Sequence, residues 1–595
     1  MTSTLEKRRL LLGVSTAAPP DKLKRGATFQ SLEEYKSFLN DAQDDAAAYW
    51  SRLADKVTWS KAPAEVGGPG GWFPGGELNL SVSCLDEPAR RFRGTEPVLW
   101  EIPPGSHEPA ALTRDDLLGR VGWISSQVRE WSLGPGDRVL VALPSGGPML
   151  AATYACLRLG LTVVPMDPAY AGKRITRRAR KLSCKGAIVD SQLLTSVDLA
   201  VAHTLTMPTD TEAVTANPGT PIPVTAMHPA FVLADSAGQL FTIPGAGFLV
   251  QAISAYRNIL DGRGDSDRLW VLAPSHHAST MAAATGALAA GGQVGFLPCE
   301  AASSTTSFLD MISAAGPRVL FSDVKTVMQA IRPAMEAGQR PMGDGPDLFI
   351  IEGEAVEPRI WAYLENGLFR SGTHVVQVLA RPESGGFVAG PNPAVTPVRR
   401  SSVALPAPGF DIVILDAQGH ECEPNHGGFL GLNKATPGLA LELQKLVPPL
   451  AIEVKARRDV AGYIWTMGEV KVSRAGRDRV TIPELEAVIA SVRGVDQVAM
   501  IRYRDKQGNS KSRVFFKPIR HADGLTDEIR ERIIERCGER AMPDSFQVVR
   551  ALPCSRTGKL LRTVLKRLAE GESLSREDLD LISDPNLIEE YNAAG

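Results

Sequence analysis

A handful of residues carry side chains that could do chemistry. Glu383, in ARPESGG at 380–386, offers an oxygen of the kind a hard cation such as magnesium prefers. Read on its own, it serves equally well as a surface or structural carboxylate. Lys559, in SRTGKLLR, is a flexible positive charge beside Arg556, Arg562, Lys566 and Arg567. Read on its own, it is a solvated lysine in a basic tail. His276 and His277, in APSHHAS, read on their own as two polar residues ending a strand. Arg177, in AGKRITRRARK, reads on its own as one cation on a solvated helix face. The seven cysteines are scattered, odd in number and without CxxC spacing, which implies a reduced compartment and no zinc site.

The chain that positions these residues is 595 long, more than one hydrophobic core usually supports. Apolar residues make up 44% and charged ones 22%, as in an ordinary globular protein. Lys+Arg 65 against Asp+Glu 67 leaves a net charge of −2, which excludes an electrostatic case for nucleic acid or an anionic membrane. Small molecules or a partner protein fit better. The amino-terminal apolar patch is too brief for a secretory signal, so a cytoplasmic location is expected. The run 278–298 is uncharged but carries Gly286, Gly291, Gly292 and Gly295, and reads as a buried helix entering a strand rather than a membrane span.

Helical spacing of Tyr35, Phe38, Leu39, Tyr49, Trp50 and Leu53 predicts an amphipathic helix pair over 29–60. From about 97 to 300, runs such as RVLVALP and LTVVPM alternate with helical patterns, the mark of βαβ units and a mostly parallel sheet. A second α/β stretch covers about 305–400. After it come short strands with turns at AQG and NHGG. The last segment, from about 468, reads as a compact α+β module.

Four stretches in order resemble the acetyl- and propionyl-CoA synthetase branch of the adenylate-forming superfamily. They are YWSRLADKVTW with GGWFPGGELNLSVSCLD, the segment from LTRDD to CLRLG, IIEGEAVEPRIWAY at 350–363, and the tail from LPCSRTGK to SDP. The resemblance implies an α/β protein: a large domain of two sandwiched α/β subdomains with a small β subdomain, then a small mobile α+β domain. The expected divisions are a helical extension and leading segment at 1–96, an AMP-binding-like large domain at 97–467, and a small domain at 468–595 bearing the Lys559 loop. It also implies a reaction in which a carboxylate attacks the α-phosphate of ATP, pyrophosphate leaves, and the thiol of CoA displaces AMP.

Set against that pattern, the nucleotide motifs of this chain depart widely. Relatives carry a loop like TSGTTGKPKG, whose backbone N–H groups cradle phosphate. Here ADSAGQLFTIPGAG keeps only Ser236 and puts Leu240 and Phe241 where phosphate oxygens should go. Gly353 and Glu354 match the loop that frames adenine. Glu383 matches the magnesium glutamate, although its neighbours are Arg381 and Pro382, and no metal site is assigned. The ribose aspartate falls on Ile452, Glu453 and Val454, counted from Asp459 and Gly462-Tyr463. In the hinge motif, Glu469 replaces an arginine and Lys471 the pivot aspartate. Lys559 matches the adenylation lysine, and Arg177 lies near a position used for a CoA phosphate. Ala380 stands where acetate-specific relatives have a pocket-closing tryptophan, which implies a roomier acyl pocket, and His276 and His277 fall where relatives place a His or aromatic near the substrate channel. The expectation is an acyl-handling protein that takes a carboxylate, CoA or an acyl thioester, with ordinary use of Mg-ATP lost or rebuilt. The alternative is a non-catalytic relative that scaffolds or regulates a partner enzyme.

Overall fold

The computed structural model describes residues 16–68, 71–92, 94–103, 106, 108–170, 172–194, 197–208, 215–235, 238–264, 267–298, 305–336, 344–353, 355–356, 358–369, 372–416, 418–469, 482–490, 492–504, 510–519, 524–537, 542–553, 561–572, 574, 582 and 591. The chain divides into two compact units, Met1–Thr466 and Met467–Gly595.

The first unit opens with α1 (Leu32–Asp44) and α2 (Ala46–Ala54). Ser31 and Asp45 cap them, each accepting from a backbone N–H three residues on. The predicted apolar stripe is buried through Tyr35, Tyr49, Trp50 and Leu53. Strands β1 (Pro97–Glu101) and β2 (Ala110–Thr113) lead into α3 (Arg114–Arg129), which starts with a reciprocal cap between Thr113 and Asp116. Then follow β3 (Arg138–Ala142), α4 (Gly147–Arg158), β4 (Thr162–Pro165), α5 (Gly172–Lys181), β5 (Gly186–Val189), β6 (His203–Thr206), β7 (Pro229–Ala234), β8 (Leu240–Pro244) and α6 (Gly245–Asn258). Next come β9 (Arg268–Leu272), α7 (Ala278–Ala289), β10 (Gln293–Phe296), β11 (Val319–Asp323), β12 (Leu348–Glu352), β13 (His374–Arg381) and β14 (Gly386–Ala389).

These strands form two sheets. One has the order β6-β5-β3-β4-β7-β8 and the other β14-β13-β12-β11-β9-β10-β1-β2. Both are parallel inside and antiparallel at one or both ends, where β8 joins β7, β14 joins β13 and β2 joins β1. Nearly every residue of α4, α6 and α7 is buried, as expected of helices enclosed between two sheets. Close approach demands small residues there: a Cβ on Gly286 of α7 would stand 2.2 Å from the Ala252 carbonyl oxygen of α6. The uncharged run over 278–298 is therefore core, and among the described residues no helix is long and apolar enough to cross a membrane.

A smaller antiparallel sheet follows, ordered β15 (Ile412–Leu415), β16 (Gly427–Leu432), β17 (Leu450–Arg458) and β18 (Ile464–Glu469). The second unit contains α8 (Ile482–Ala490), β19 (Val495–Arg504), β20 (Ser510–Pro518), α9 (Leu525–Cys537), β21 (Ser545–Val548) and α10 (Arg562–Glu570). Its three strands pair in chain order over a core that includes Leu485, Ile489, Val514, Phe516 and Ile529.

Candidate functional site

The carboxyl ends of parallel strands gather loops along one edge of a sheet. In the eight-stranded sheet that edge brings together His276 and His277 after β9, Asp323 ending β11, Gly353 after β12, Ala380 near the end of β13, and Glu383 just beyond it. Ser236, Glu354 and Lys559 lie outside the described residues, as do Val470 and Lys471 of the hinge motif.

The glycine-containing run is a hairpin rather than a strand-to-helix loop. Leu233 faces Phe241 and Ala234 faces Leu240 across β7 and β8. This corrects the placement of Leu240 and Phe241 in a phosphate loop. In LFTIP, period-two alternation sends Phe241 into the main core, while Leu240 packs against a smaller cluster containing Ile175 and Ala179. The turn closes on Asp235. Its carbonyl accepts from the Gly238 N–H at 3.1 Å and its Oδ1 from the Gln239 N–H at 2.8 Å. Gly238, at φ 86°, takes the left-handed conformation this turn requires. At the third residue of β8, the Thr242 N–H donates to Glu442 Oε2 at 3.1 Å.

Glu383 sits in a single 3-10 turn, Pro382–Ser384. Pro382 bends the chain so that Arg381 Nε donates to Glu383 Oε1 at 2.8 Å, with both side chains buried. Burial pushes the Glu383 carboxyl above its ordinary range, although the Arg381 guanidinium opposes the shift. Its Oε2 has no hydrogen-bond partner among the described residues. The turn is braced by the 436–442 segment. The Ala440 N–H donates to the Glu383 carbonyl at 2.8 Å, and Gln251 of α6 joins the Ser384 carbonyl to the Gly438 N–H. Gly385, at φ 71°, leaves no room for a Cβ, which would meet the Gly438 oxygen at 2.7 Å.

The other matched positions are supported in the same internal fashion. Gln377 of β13 donates to the Gly353 carbonyl at 3.1 Å and holds the turn that follows β12. Ala380 is buried, and its cross-strand partner is Phe387, which packs edge-to-face on Phe321 at 5.6 Å. In β17, Ile452 and Val454 are core residues. Asp459 caps the β17–β18 turn, accepting from the N–H groups of Ala461 and Tyr463, from Trp465 Nε1 at 3.2 Å, and pairing with Arg399. Burial alone would raise its pKa, but the donors from Trp465, Tyr463, Ala461 and Arg399 prevail and hold it below the ordinary aspartate value.

The histidine pair bridges the two sheets. His276 Nε2 shares a 2.7 Å hydrogen bond with the hydroxyl of Tyr170, which follows β4. The two imidazoles stack edge-to-face at 4.6 Å. Burial, then the other histidine, Arg174, Arg178 and Lys325 push the His276 pKa down to about 2, so it is neutral at physiological pH. His277 is lowered as well, by burial above all. Arg174 lies over the Tyr170 ring at 3.7 Å, whereas Arg177 points away on the exposed face of α5. Sequence reasoning missed Tyr170, Asp235 and Glu442. It also missed that Arg381 and Glu383, two apart across a proline, are partners, although a proline between opposite charges was a signal that the chain turns there.

Residues 85–232 and 246–435 match the family model for AMP-binding enzymes, and 35–84 match that for the acetyl-coenzyme A synthetase N-terminus. The chain belongs to the AMP-binding enzyme family. Within this adenylate-forming superfamily it falls in the acyl-CoA synthetase branch. The gap between the two matched stretches, 233–245, coincides with the β7–β8 hairpin. Similar curated proteins include the acetyl-coenzyme A synthetases of Chlorobaculum tepidum, 24% identical over 98% of this chain and 97% of the relative, and of Burkholderia lata, 24% identical over 96% and 97%. Among solved structures, an acetoacetyl-CoA synthetase from Streptomyces lividans covers 94% of each chain with a TM-score of 0.67 at 19% identity. An acyl-CoA synthetase of Brucella canis has a TM-score of 0.62 at 18% identity, covering 89% of this chain and 98% of its own. These likenesses give this AMP-binding family member the two-domain adenylate-forming fold.

Proposed function

We propose that this protein handles a carboxylate or an acyl thioester of CoA without adenylating it from Mg-ATP. The observation that carries the reading is the pairing of Glu383 with Arg381 inside the protein, at the position matched to the magnesium glutamate. A carboxylate already neutralised by a buried guanidinium has little left to offer a divalent cation, and moving it out would strand Arg381. The Asp235 hairpin adds to this. Its Gly238 and Gln239 amides are already bonded, and two carboxylates, Asp235 and Glu442, stand against any further negative charge. These residues do not fit a magnesium-bound triphosphate. Branch membership supports the acyl side of the reading, with the acyl group placed beside Ala380 and the neutral His277.

The test is carboxylate-dependent exchange of labelled pyrophosphate into ATP, run beside calorimetric titration with CoA, an acyl-CoA and Mg-ATP. No exchange and no Mg-ATP binding, with binding of CoA or its thioester, is the expected result. Exchange that disappears in Lys559→Ala would overturn the reading in favour of an ordinary ligase. Binding of none of the three would favour a scaffold for a partner enzyme.

A further inference from the structure

The loop after β9 is pinned from the other sheet. Ser145 Oγ, beyond β3, donates to the Ala273 carbonyl at 2.8 Å, and Ser275 Oγ donates back to the Leu143 carbonyl at 2.9 Å. The Tyr170 hydroxyl, beyond β4, adds its 2.7 Å bond to His276 Nε2. The other ring nitrogen of His276 lies 3.9 Å from Asp167 Oδ2. His276 is thus occupied in holding the two sheets together at their carboxyl edges.

His277 is not so occupied. It is half-buried, its ring stacks edge-to-face on that of His276 at 4.6 Å, and among the described residues its ring nitrogens are neither hydrogen-bonded nor sealed from solvent. Two carboxylates act on it, Asp323 and Asp167, with Lys325 opposing them. Asp323 ends β11; its Oδ1 accepts from the Thr326 N–H at 3.0 Å, and its Oδ2 is buried without a partner among the described residues. Burial, the largest influence, lowers the His277 pKa and leaves the ring unprotonated, the form that can take up a proton. His277 also stands directly before α7 without capping it through its side chain, so the positive end of that helix dipole lies beside the imidazole.

We propose that His277 is the general base for hydrolysis of an acyl thioester, held in place by Tyr170 and His276 as positioning residues. The inference rests on the acyl-handling reading and gives it a reaction. His277 takes a proton from water as the water oxygen bonds to the thioester carbonyl carbon. Negative charge then develops on the carbonyl oxygen, which the positive end of α7 favours, while Asp323 and Asp167 favour the imidazolium. The carbon–sulfur bond breaks, the leaving thiolate takes the proton back from His277, and the new carboxylic acid gives its own proton to solvent. The step consumes only the thioester and water, and no nucleotide enters it.

Release of free thiol from acetyl-CoA and longer acyl-CoA esters by the full chain tests this, beside calorimetric titration with thioether analogues that cannot be hydrolysed. Hydrolysis is expected, with kcat lowered about 100-fold in His277→Gln and KM little changed. Tyr170→Phe should lower kcat by a few-fold. In His277→Ala, added imidazole should restore part of the rate, which a merely structural histidine would not allow. An undiminished rate in both His277 variants, or a loss that imidazole does not repair in a His277→Ala protein with the thermal midpoint of the parent, would overturn the proposal. Binding of the analogues without hydrolysis of the esters would overturn it and leave the acyl-handling reading standing. Absence of both binding and hydrolysis would overturn the two together.

Discussion

The two ends of α6 and α7 differ in how their polar groups are matched. At the start of the helices the structure supplies partners for one oxygen of Glu383 through Arg381, for the hairpin amides through Asp235, and for the backbone of Ser384 and Gly438 through Gln251, while Glu383 Oε2 and Ser384 Oγ have none among the described residues. At the far end, Arg257 and the Tyr256 hydroxyl have no hydrogen-bond or ion-pair partner among the described residues. Groups satisfied from within do not need a ligand, whereas a buried hydroxyl with no acceptor or donor costs free energy until something meets it. At the place where a nucleotide would be sought, the charge of Glu383 is thus met from within by Arg381.

The largest effect should come from breaking the closed end at its charges. Arg381→Ala leaves the Glu383 carboxylate buried and unpaired, and should destabilise the first unit by about 3–5 kcal/mol in urea unfolding. The double variant Arg381→Ala/Glu383→Ala should recover much of that loss. A neutral Arg381→Ala would mean the pair is not what closes the site. Next is Gln251→Leu, which strands one carbonyl and one amide; a loss of about 2–4 kcal/mol is expected.

Acidity separates two carboxylates in the same unit. Glu383 has its folded pKa raised above 4.5 by burial, so the folded state holds the proton more tightly than the unfolded chain. Its contribution is full below the unfolded value and is lost as pH rises through the folded one. Asp459 has its folded pKa held below 3.8, so its contribution is present above the unfolded value and is lost as pH falls through the folded one. Stability measured from pH 3 to 7 should therefore lose its falling slope in Glu383→Gln and its rising slope in Asp459→Asn. Removal of the same slope by both would undo the distinction. The smallest effect belongs to the open end: Arg257→Gln, with nothing to lose in the protein alone, should change stability by no more than about 0.5 kcal/mol.

Much of the fold was legible because it follows from local periodicity. Tyr35, Tyr49, Trp50 and Leu53 mark one stripe, and α1 and α2 bury it. RVLVALP and LTVVPM became β3 and β4, and turns occur at Gln418 and Asn425. LFTIP was harder, since five residues behind a glycine show too little alternation to stand out from a loop. The site was legible only as departures from a pattern. What replaced the pattern depends on contacts between distant residues, such as Tyr170 with His276 and Thr242 with Glu442, and no spacing along the chain announces these. Arg381 beside Pro382 and Glu383 could be read as a lost motif, but whether the two charges meet depends on the turn that Gly385 permits.

The hairpin has one further consequence. Strand β8 forms one border of the six-stranded sheet, with β7 on its inner side. Such a border ordinarily exposes amides and carbonyls that could recruit a strand from another molecule. Here the Leu441 N–H donates to the Thr242 carbonyl at 2.9 Å and Glu442 Oε2 accepts from the Thr242 N–H, so the chain's own 441–442 segment occupies that border. The contacts that seal the hairpin thereby also guard the protein against aggregating through this strand.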